Sequence, residues 1–250
     1  MRAARGVRDV GGASYRSDMD VLLIPGFWLD GDSWQPVTEA LADAGHRPHP
    51  LTLPGKAPGE SAEGIGLRDH VDAVIAAMDA LPQPVVLVGH SGGGSIAWAA
   101  ADARPAAVAR VVFVDALPFP AGGPINDELP IVGDVVPLPD WSLFEPDDLV
   151  DLDDALRARF LAMAVPEPAR VATDPQQLHD DARFAVPVTI LACEFPAAML
   201  HEAIASEAAW GAELRRLHAL EIVELPTGHW PQLTRPGELA STVVAAVGAV

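Results

Sequence analysis

A serine flanked by glycines follows the most apolar stretch of the chain. The string GHSGG at Gly89–Gly93 closes the apolar run 84–89 and opens a helix predicted over 91–102. Small residues two positions before and after a serine allow a sharp turn between strand and helix, which exposes the hydroxyl at the sheet edge. The first backbone N–H of the helix then faces a developing oxyanion. The spacing therefore predicts a nucleophilic Ser91, with Gly92 as an oxyanion donor.

A serine hydroxyl is a weak nucleophile until a base takes its proton, and histidine is the usual base. The chain has eight histidines, of which His229 lies just after the last predicted strand, in LPTGHWPQ at 225–232. Carboxyl ends of parallel strands meet at one edge of a sheet, so His229 is expected near the serine. His90 adjoins the serine at a turn where neighbouring side chains diverge, so we expect it to be packed. The predicted base is His229.

A second oxyanion donor is expected in the loop after the first strand. That loop reads Pro25-Gly26-Phe27-Trp28. The N–H of Phe27 is the candidate donor, and Trp28 is the candidate pocket residue. Trp34, a little further on, is expected to pack beneath the first helix, since large aromatics usually owe their position to buried area.

Strands and helices alternate on both sides of one long interruption. Strands are predicted over 20–26, 47–53, 84–89, 110–115, 187–193 and 220–226. Helices are predicted over 33–44, 66–80 and 91–102, in a long segment ending near Leu217, and at the C-terminus. This alternation predicts the α/β class, with a mostly parallel sheet of about six strands and helices on both faces.

The interruption divides the chain into predicted parts. Residues 118–185 hold 14 Asp and Glu against 4 Arg and no long apolar run, with the clearest helical pattern at 149–164. We expect 118–185 to be a small helical lid, and 20–117 with 186–250 to form the core. Residues 1–19 are expected to be a flexible tail.

Composition excludes several classes of function. The chain has 250 residues, 16 basic and 35 acidic side chains, a net charge of −19 and a mean hydropathy of +0.21. Such a charge argues against binding nucleic acid or an anionic membrane, both of which require clustered Lys and Arg. The only cysteine, Cys193, allows no intramolecular disulfide, and no apolar run approaches the roughly 20 residues of a membrane helix. A cytoplasmic location is expected, and the sequence gives no oligomeric state.

Nothing in the sequence predicts a metal or cofactor site. A free cysteine such as Cys193 usually behaves as a small buried apolar side chain. An acidic cluster in 147–154 lacks the glycine and terminal glutamate of a calcium-binding loop, so a solvated face is expected there. Its members are Asp147, Asp148, Asp151, Asp153 and Asp154.

Four motifs together resemble the α/β-hydrolase superfamily over residues 20–250. They are PGFWLDGDSW at 25–34, LPGKAPGES at 53–61, GHSGG at 89–93 and GHW at 228–230. The chain looks closest to small carboxylesterases and to the group of hydroxynitrile lyases and methyl-ester hydrolases. Serine at the position where haloalkane dehalogenases and epoxide hydrolases carry aspartate argues against those two activities.

The resemblance also implies an acid that orients the histidine, and here the sequence departs from the usual pattern. Phe195 stands where an aspartate after the seventh strand of the family is expected, and Pro25 replaces a histidine before Gly26. Asp115, at the end of the 110–115 strand, matches the alternative acid position after the sixth strand. Glu194 lies one residue before the usual position. Asp115 is favoured because it needs no register shift.

The expected function is hydrolysis of a small or medium carboxylic ester through an acyl-enzyme, without a cofactor. A small-molecule ester is the expected partner. Two alternatives stay open. The same residues could support a lyase or a cofactor-free perhydrolase, or the fold could serve as a ligand-binding protein without turnover.

Overall fold

The computed structural model describes residues 18–206 and 208–250. Its strands are β1 Asp20–Ile24, β2 Arg47–Pro50, β3 Val85–His90, β4 Val108–Val114, β5 Val135–Val136, β6 Glu167–Pro168, β7 Val188–Ala192 and β8 Leu220–Glu224. Its α-helices are α1 Gln35–Asp43, α2 Leu67–Asp79, α3 Gly92–Ala103, α4 Asp154–Met163, α5 Ala169–Thr173, α6 Ala197–Ala205, α7 Pro231–Thr234 and α8 Pro236–Val247. Six strands form one parallel sheet in the order β2-β1-β3-β4-β7-β8. The predicted α/β class and strand number are confirmed.

Helices cover both faces of this sheet. Successive side chains of a strand point to opposite faces. Accordingly, Leu22 and Ile24 of β1 pack in the core beneath α2 and α3, whereas Val21 and Leu23 pack in the core beneath α1 and α8. Burial on both sides explains why the central strands read as continuous apolar runs.

Five candidate site residues follow five different strands and therefore reach the same edge of the sheet. Phe27 comes after β1, Ser91 after β3, Asp115 after β4, Glu194 after β7 and His229 after β8. The carboxyl edge of a parallel sheet is where α/β proteins bind their ligands. The topology thus brings together residues that are far apart in the sequence.

A long connection, residues 115–187, joins β4 to β7. Besides α4 and α5 it contains turns and the antiparallel pair β5–β6, so it holds less helix than the sequence predicted. It is anchored next to the carboxyl edge. The indole of Trp28 donates to the carbonyl of Val136 at 3.2 Å, and the N–H of His229 donates to the carbonyl of Asp148 at 2.9 Å.

Another prediction differs from the structure after β7. The long helix expected to end near Leu217 is wrong, because α6 ends at Ala205 and short 3-10 turns follow at 209–211 and 214–216. The Arg215 guanidinium donates to the carbonyl of Ala203 at 2.8 Å and holds the chain folded back against the end of this helix.

The expected N-terminal tail falls mostly outside the described residues. Of its last two residues, Met19 is buried against the core on the α1 and α8 side rather than flexible. Within 18–206 and 208–250, the helices are all too short or too polar to cross a bilayer.

Candidate active site

Ser91 lies at a compressed turn between β3 and α3. Its φ of 51° lies in the left-handed region, which a side chain with a Cβ rarely occupies. The flanking glycines allow this turn, because a Cβ on Gly89 would lie 2.5 Å from the Gly93 carbonyl oxygen, and one on Gly93 would lie 2.5 Å from that of Pro25. The predicted strand–turn–helix geometry is therefore present at this serine.

Two hydrogen bonds join His229 to its predicted partners. Its Nε2 lies 2.8 Å from Ser91 Oγ, and its Nδ1 lies 2.7 Å from Asp115 Oδ2. The backbone of His229 is also fixed at both ends, since its N–H donates to Asp148 and its carbonyl accepts from His90 Nε2 at 2.7 Å. Carboxylate, imidazole and hydroxyl thus form one continuous chain.

The structure places both acid candidates near His229, but in different ways. Asp115 is buried, and its second oxygen accepts the N–H groups of Cys193 and Glu194, each at 3.0 Å. Glu194 Oε2 lies 3.0 Å from the same Nδ1, yet outside hydrogen-bond geometry. Both oxygens of Asp115 are therefore directed by hydrogen bonds, which leaves this carboxylate a single orientation.

Charges in this cluster shift three pKa values. Burial alone would lower the pKa of His229, but the carboxylates of Asp115 and Glu194 outweigh it and raise the pKa to about 10. Burial and the facing Glu194 raise the pKa of Asp148 to about 6. Burial, together with the nearby His229, lowers the pKa of His90 to about 3. His90 is therefore neutral and acts as a hydrogen-bond donor to the backbone, in line with the packed role expected for it.

The two residues that carry the candidate oxyanion donors, Phe27 and Gly92, are in contact at the carboxyl edge of the sheet. Gly92 is the first residue of α3, where backbone N–H groups lack partners within the helix. The ring of Phe27 packs directly against Gly92, so closely that a Cβ at this glycine would lie 2.6 Å from it. In the described part of the chain, neither the Phe27 nor the Gly92 amide donates a hydrogen bond. Both donors are thus available to a ligand.

A cavity of about 430 Å³ opens onto the Ser91 hydroxyl. Trp28 forms part of its wall with a φ of 62°, and its indole meets Phe144 edge-on at 5.7 Å. The long connection supplies much of the remaining wall. Besides Asp115, its contributions are Ala116, Leu117, Phe119, Ile125, Asn126, Leu129, Leu143, Phe144 and Asp148. Sequence reasoning missed these residues, because they follow no periodic pattern; Asp148 was interpreted there as part of a solvated face.

Phe195, which stands at the usual position of the family's acid, forms part of the cavity wall, whereas Trp34 and Cys193 lie away from it. Trp34 is fully buried in the core beneath α1, as expected. Cys193 is buried as well, and burial raises the pKa of its thiol far above the ordinary value, so it is not a nucleophile.

Asp115, Glu194 and His229 also offer ligand atoms within 4.8 Å of one another, which is compatible in number with a metal site. However, His229 Nδ1 and Asp115 Oδ2 are only 2.7 Å apart. Two ligands at tetrahedral zinc distances would be about 3.3 Å apart. The shorter separation is that of a shared proton, so the arrangement fits a hydrogen-bonded pair better than a metal centre.

Comparisons with known proteins identify the family and the fold of the chain. The model of the "Alpha/beta hydrolase family" matches residues 21–242. A pimeloyl-[acyl-carrier protein] methyl ester esterase from Aliivibrio salmonicida is 34% identical over 99 residues, which cover 40% of this chain and 36% of that protein. The match therefore spans about a third of the length of this curated relative.

Solved structures share the fold across nearly the whole chain. An extracellular alpha/beta-hydrolase from a Paenibacillus species superposes with a TM-score of 0.72 at 20% identity, covering 91% of this chain and 98% of that one. A pyrethroid hydrolase from Sphingobium faniae superposes with a TM-score of 0.65 at 19% identity, covering 93% and 98%. With the family model matching most of the sequence, the chain belongs to the alpha/beta hydrolase family.

Proposed function

We propose that the protein is a serine hydrolase that cleaves a small or medium carboxylic ester through an acyl-enzyme intermediate. The observation that carries the proposal is the unbroken hydrogen-bond chain from Asp115 through His229 to Ser91, opening onto a cavity. An acid, an imidazole and a hydroxyl in this order are the parts needed to activate a serine.

Acylation begins when neutral His229 accepts the Ser91 proton at Nε2 while Oγ attacks the ester carbonyl carbon. The carbonyl oxygen becomes an oxyanion, which the N–H groups of Phe27 and Gly92 bind. Asp115 stabilises the imidazolium. Collapse of the tetrahedral intermediate breaks the bond to the alcohol, which leaves with the proton from His229.

Deacylation repeats these steps with water. His229 takes a proton from water as the water oxygen attacks the acyl carbon, and the same two amides bind the second oxyanion. Collapse releases the carboxylic acid and returns the proton to Ser91. Besides the ester and water, each half of this cycle uses only side chains and backbone amides of the protein.

The cavity favours uncharged esters with an apolar acyl or alcohol group. Aromatic and aliphatic side chains form most of its wall, and its charged residues other than His229 are the acids Asp115, Asp148 and Glu194. Anionic substrates would face these carboxylates, and an electrostatic cost follows. In this proposal the long connection is the lid of the cavity, in agreement with the part assigned to 118–185 from the sequence.

Names of similar proteins support ester chemistry. The curated relative is called a methyl ester esterase, and one of the similar structures is called a pyrethroid hydrolase.

Labelling with a fluorophosphonate tests the proposal, because such probes react with activated serines. We expect the wild type to be labelled, and Ser91→Ala not to be labelled. A burst of nitrophenol from an activated nitrophenyl ester should accompany labelling, since acylation would then precede slower deacylation. Labelling without ester turnover would favour the lyase or perhydrolase alternative. An unlabelled wild type would overturn serine chemistry and leave ligand binding as the interpretation.

A further inference from the structure

The buried side chain of Lys56 lies beside the loop after β1 that carries Phe27, and it has no part in the proposed mechanism. The Lys56 side chain is 1% exposed. Its ammonium is in contact with the Glu167 carboxylate and lies 3.4 Å from the carbonyl oxygen of Gly26. Lysine is almost never fully buried unless its charge is paired. A buried pair placed here therefore requires an explanation.

The carbonyl that Lys56 contacts belongs to the peptide bond that carries the Phe27 N–H. In a planar trans peptide, the C=O of one residue and the N–H of the next point in opposite directions. The Gly26 oxygen accepts from the Lys56 ammonium and also from the Leu29 N–H at 3.3 Å. These two contacts together hold the Phe27 N–H pointing away from them. The charge also draws electron density toward that oxygen, which makes the N–H a stronger donor.

Neighbouring groups hold the ammonium in place. Glu167 belongs to β6 in the long connection, and its side chain is 2% exposed. His70 lies nearby, with Nδ1 3.7 Å from Glu167 Oε1 and Nε2 2.9 Å from the carbonyl oxygen of Pro54. Burial lowers the pKa of His70, so this imidazole is neutral and donates its Nε2–H to Pro54. The positive charge facing Glu167 is accordingly that of Lys56.

We propose that Lys56 is a positioning residue that aligns the Phe27 amide for oxyanion binding, and that Glu167 anchors it from the long connection. The inference rests on the proposed function, because Lys56 would align the Phe27 N–H, one of the two proposed oxyanion donors. Lys56 touches neither the substrate nor the reacting atoms. It acts through the Gly26–Phe27 peptide.

Removal of the ammonium alone would leave the Glu167 carboxylate buried and unpaired, which destabilises a protein whatever the role of the lysine. The informative variant is therefore Lys56→Met/Glu167→Gln, which removes both charges and keeps similar side-chain volumes. Arg183→Met/Asp102→Asn/Glu213→Gln is the matched control, because it also removes a buried cation together with its acidic partners, but in a cluster away from the cavity.

The measurement compares kcat, KM and inhibition by a trifluoromethyl ketone, whose serine adduct carries an oxyanion. The double variant should lose kcat by about ten- to hundredfold, since misplacement of a single donor has effects of this order. Its KM should stay within about twofold, and the ketone should bind more weakly by the same factor as the loss in kcat. The folded Arg183→Met/Asp102→Asn/Glu213→Gln control should show neither change.

A double variant that melts like the wild type and keeps wild-type kcat and ketone affinity would overturn the inference. If the double variant does not fold, Lys56→Arg replaces it, because a guanidinium keeps the ion pair but moves the charge relative to the Gly26 oxygen. Unchanged kcat in folded Lys56→Arg would also overturn it. A wild type without fluorophosphonate labelling or turnover would instead contradict the proposed function, so the two failures are distinguishable.

Discussion

Two polar clusters of this molecule differ in how their charges are arranged. The Arg183 cluster consists of Arg183, Asp102, Glu213 and Trp98. Its guanidinium lies 3.1 Å from Asp102 and 3.3 Å from Glu213, and the Trp98 indole donates to Glu213 at 3.3 Å. Asp102 also accepts the backbone N–H groups of residues 179 and 180. Opposite charges and hydrogen bonds compensate one another there.

The site cluster gathers like charges instead. It consists of Ser91, Asp115, Asp148, Glu194 and His229. Three carboxylates surround one imidazole, and the cluster opens onto the cavity. Burial, and the Glu194 carboxylate that faces it, raise the pKa of Asp148. The paired charges of the Arg183 cluster stabilise the fold. The neighbouring carboxylates of the site cluster instead shift pKa values at a cavity, which gives side chains that can exchange protons.

The largest expected effect is a loss of kcat that distinguishes Asp115 from Glu194, the two carboxylates beside His229. Asp115→Asn should lower kcat by about 10⁴-fold, the loss known for a triad aspartate replaced by asparagine, because an amide does not hold the imidazole in the required tautomer. Ester turnover measures this loss, and the melting temperature should change little. A loss of less than about tenfold would contradict the role of Asp115 as the orienting acid.

Glu194→Gln is the matched variant, since Glu194 lies at a similar distance from Nδ1 but outside hydrogen-bond geometry. We expect its kcat to fall by less than about tenfold at high pH. Its kcat/KM should also reach the plateau at a lower pH than in the wild type. The reason is the sign of the shift. Carboxylates raise the pKa of His229, the fraction of neutral base rises with pH toward that pKa, and removal of one carboxylate lowers the pKa.

An intermediate effect is expected in the Arg183 cluster, and on stability rather than on chemistry. Arg183→Met would leave Asp102 and Glu213 buried without their cation, a change that lowers the free energy of unfolding by about 3–5 kcal/mol. Arg216→Met is the control, because this exposed arginine should contribute about 0–1 kcal/mol. Chemical denaturation measures both. An equal loss in the two variants would show that the Arg183 cluster is not the stabilising element inferred here.

The smallest expected effect concerns Asp148. A carboxyl whose pKa is raised on folding contributes stability that is complete below its unfolded pKa of 3.8 and is lost as pH rises through the folded value of about 6. Asp148→Asn should therefore be more stable than the wild type at pH 8 by about 1 kcal/mol, after allowance for solvent screening. The difference should shrink toward pH 4. Thermal unfolding at both pH values checks this, and a difference that grows toward low pH would contradict the raised pKa.

Most of the fold and much of the candidate site could be predicted from local signals. Continuous apolar runs mark strands buried on both faces, and the glycine spacing around Ser91 marks a turn with a strict steric requirement. Topology then places His229 and Asp115 at the same edge as the serine, because all three follow parallel strands. The structure brings these residues within hydrogen-bond distance.

Other features could not be predicted, because they depend on packing between distant segments. Asp148 gave no signal in an acidic stretch, and its position against Glu194 follows from how the long connection folds back. Lys56 reads as an ordinary surface lysine in a loop rich in glycine and proline. The early end of α6 was not predicted, because the residues after it are held in a turn by hydrogen bonds of Arg215 that a helical composition does not reveal. The cytoplasmic location stays a prediction from the single cysteine.

Trp28, Ser91 and Asp115 all have left-handed backbone conformations, with φ values of 62°, 51° and 45°. Each such residue costs on the order of 1–3 kcal/mol, and glycine would relieve part of it. Laboratory evolution that selects for thermostability alone should therefore replace these residues early. The selected variants would be more stable but inactive. Directed evolution of a thermostable form must keep turnover in the screen from the first round.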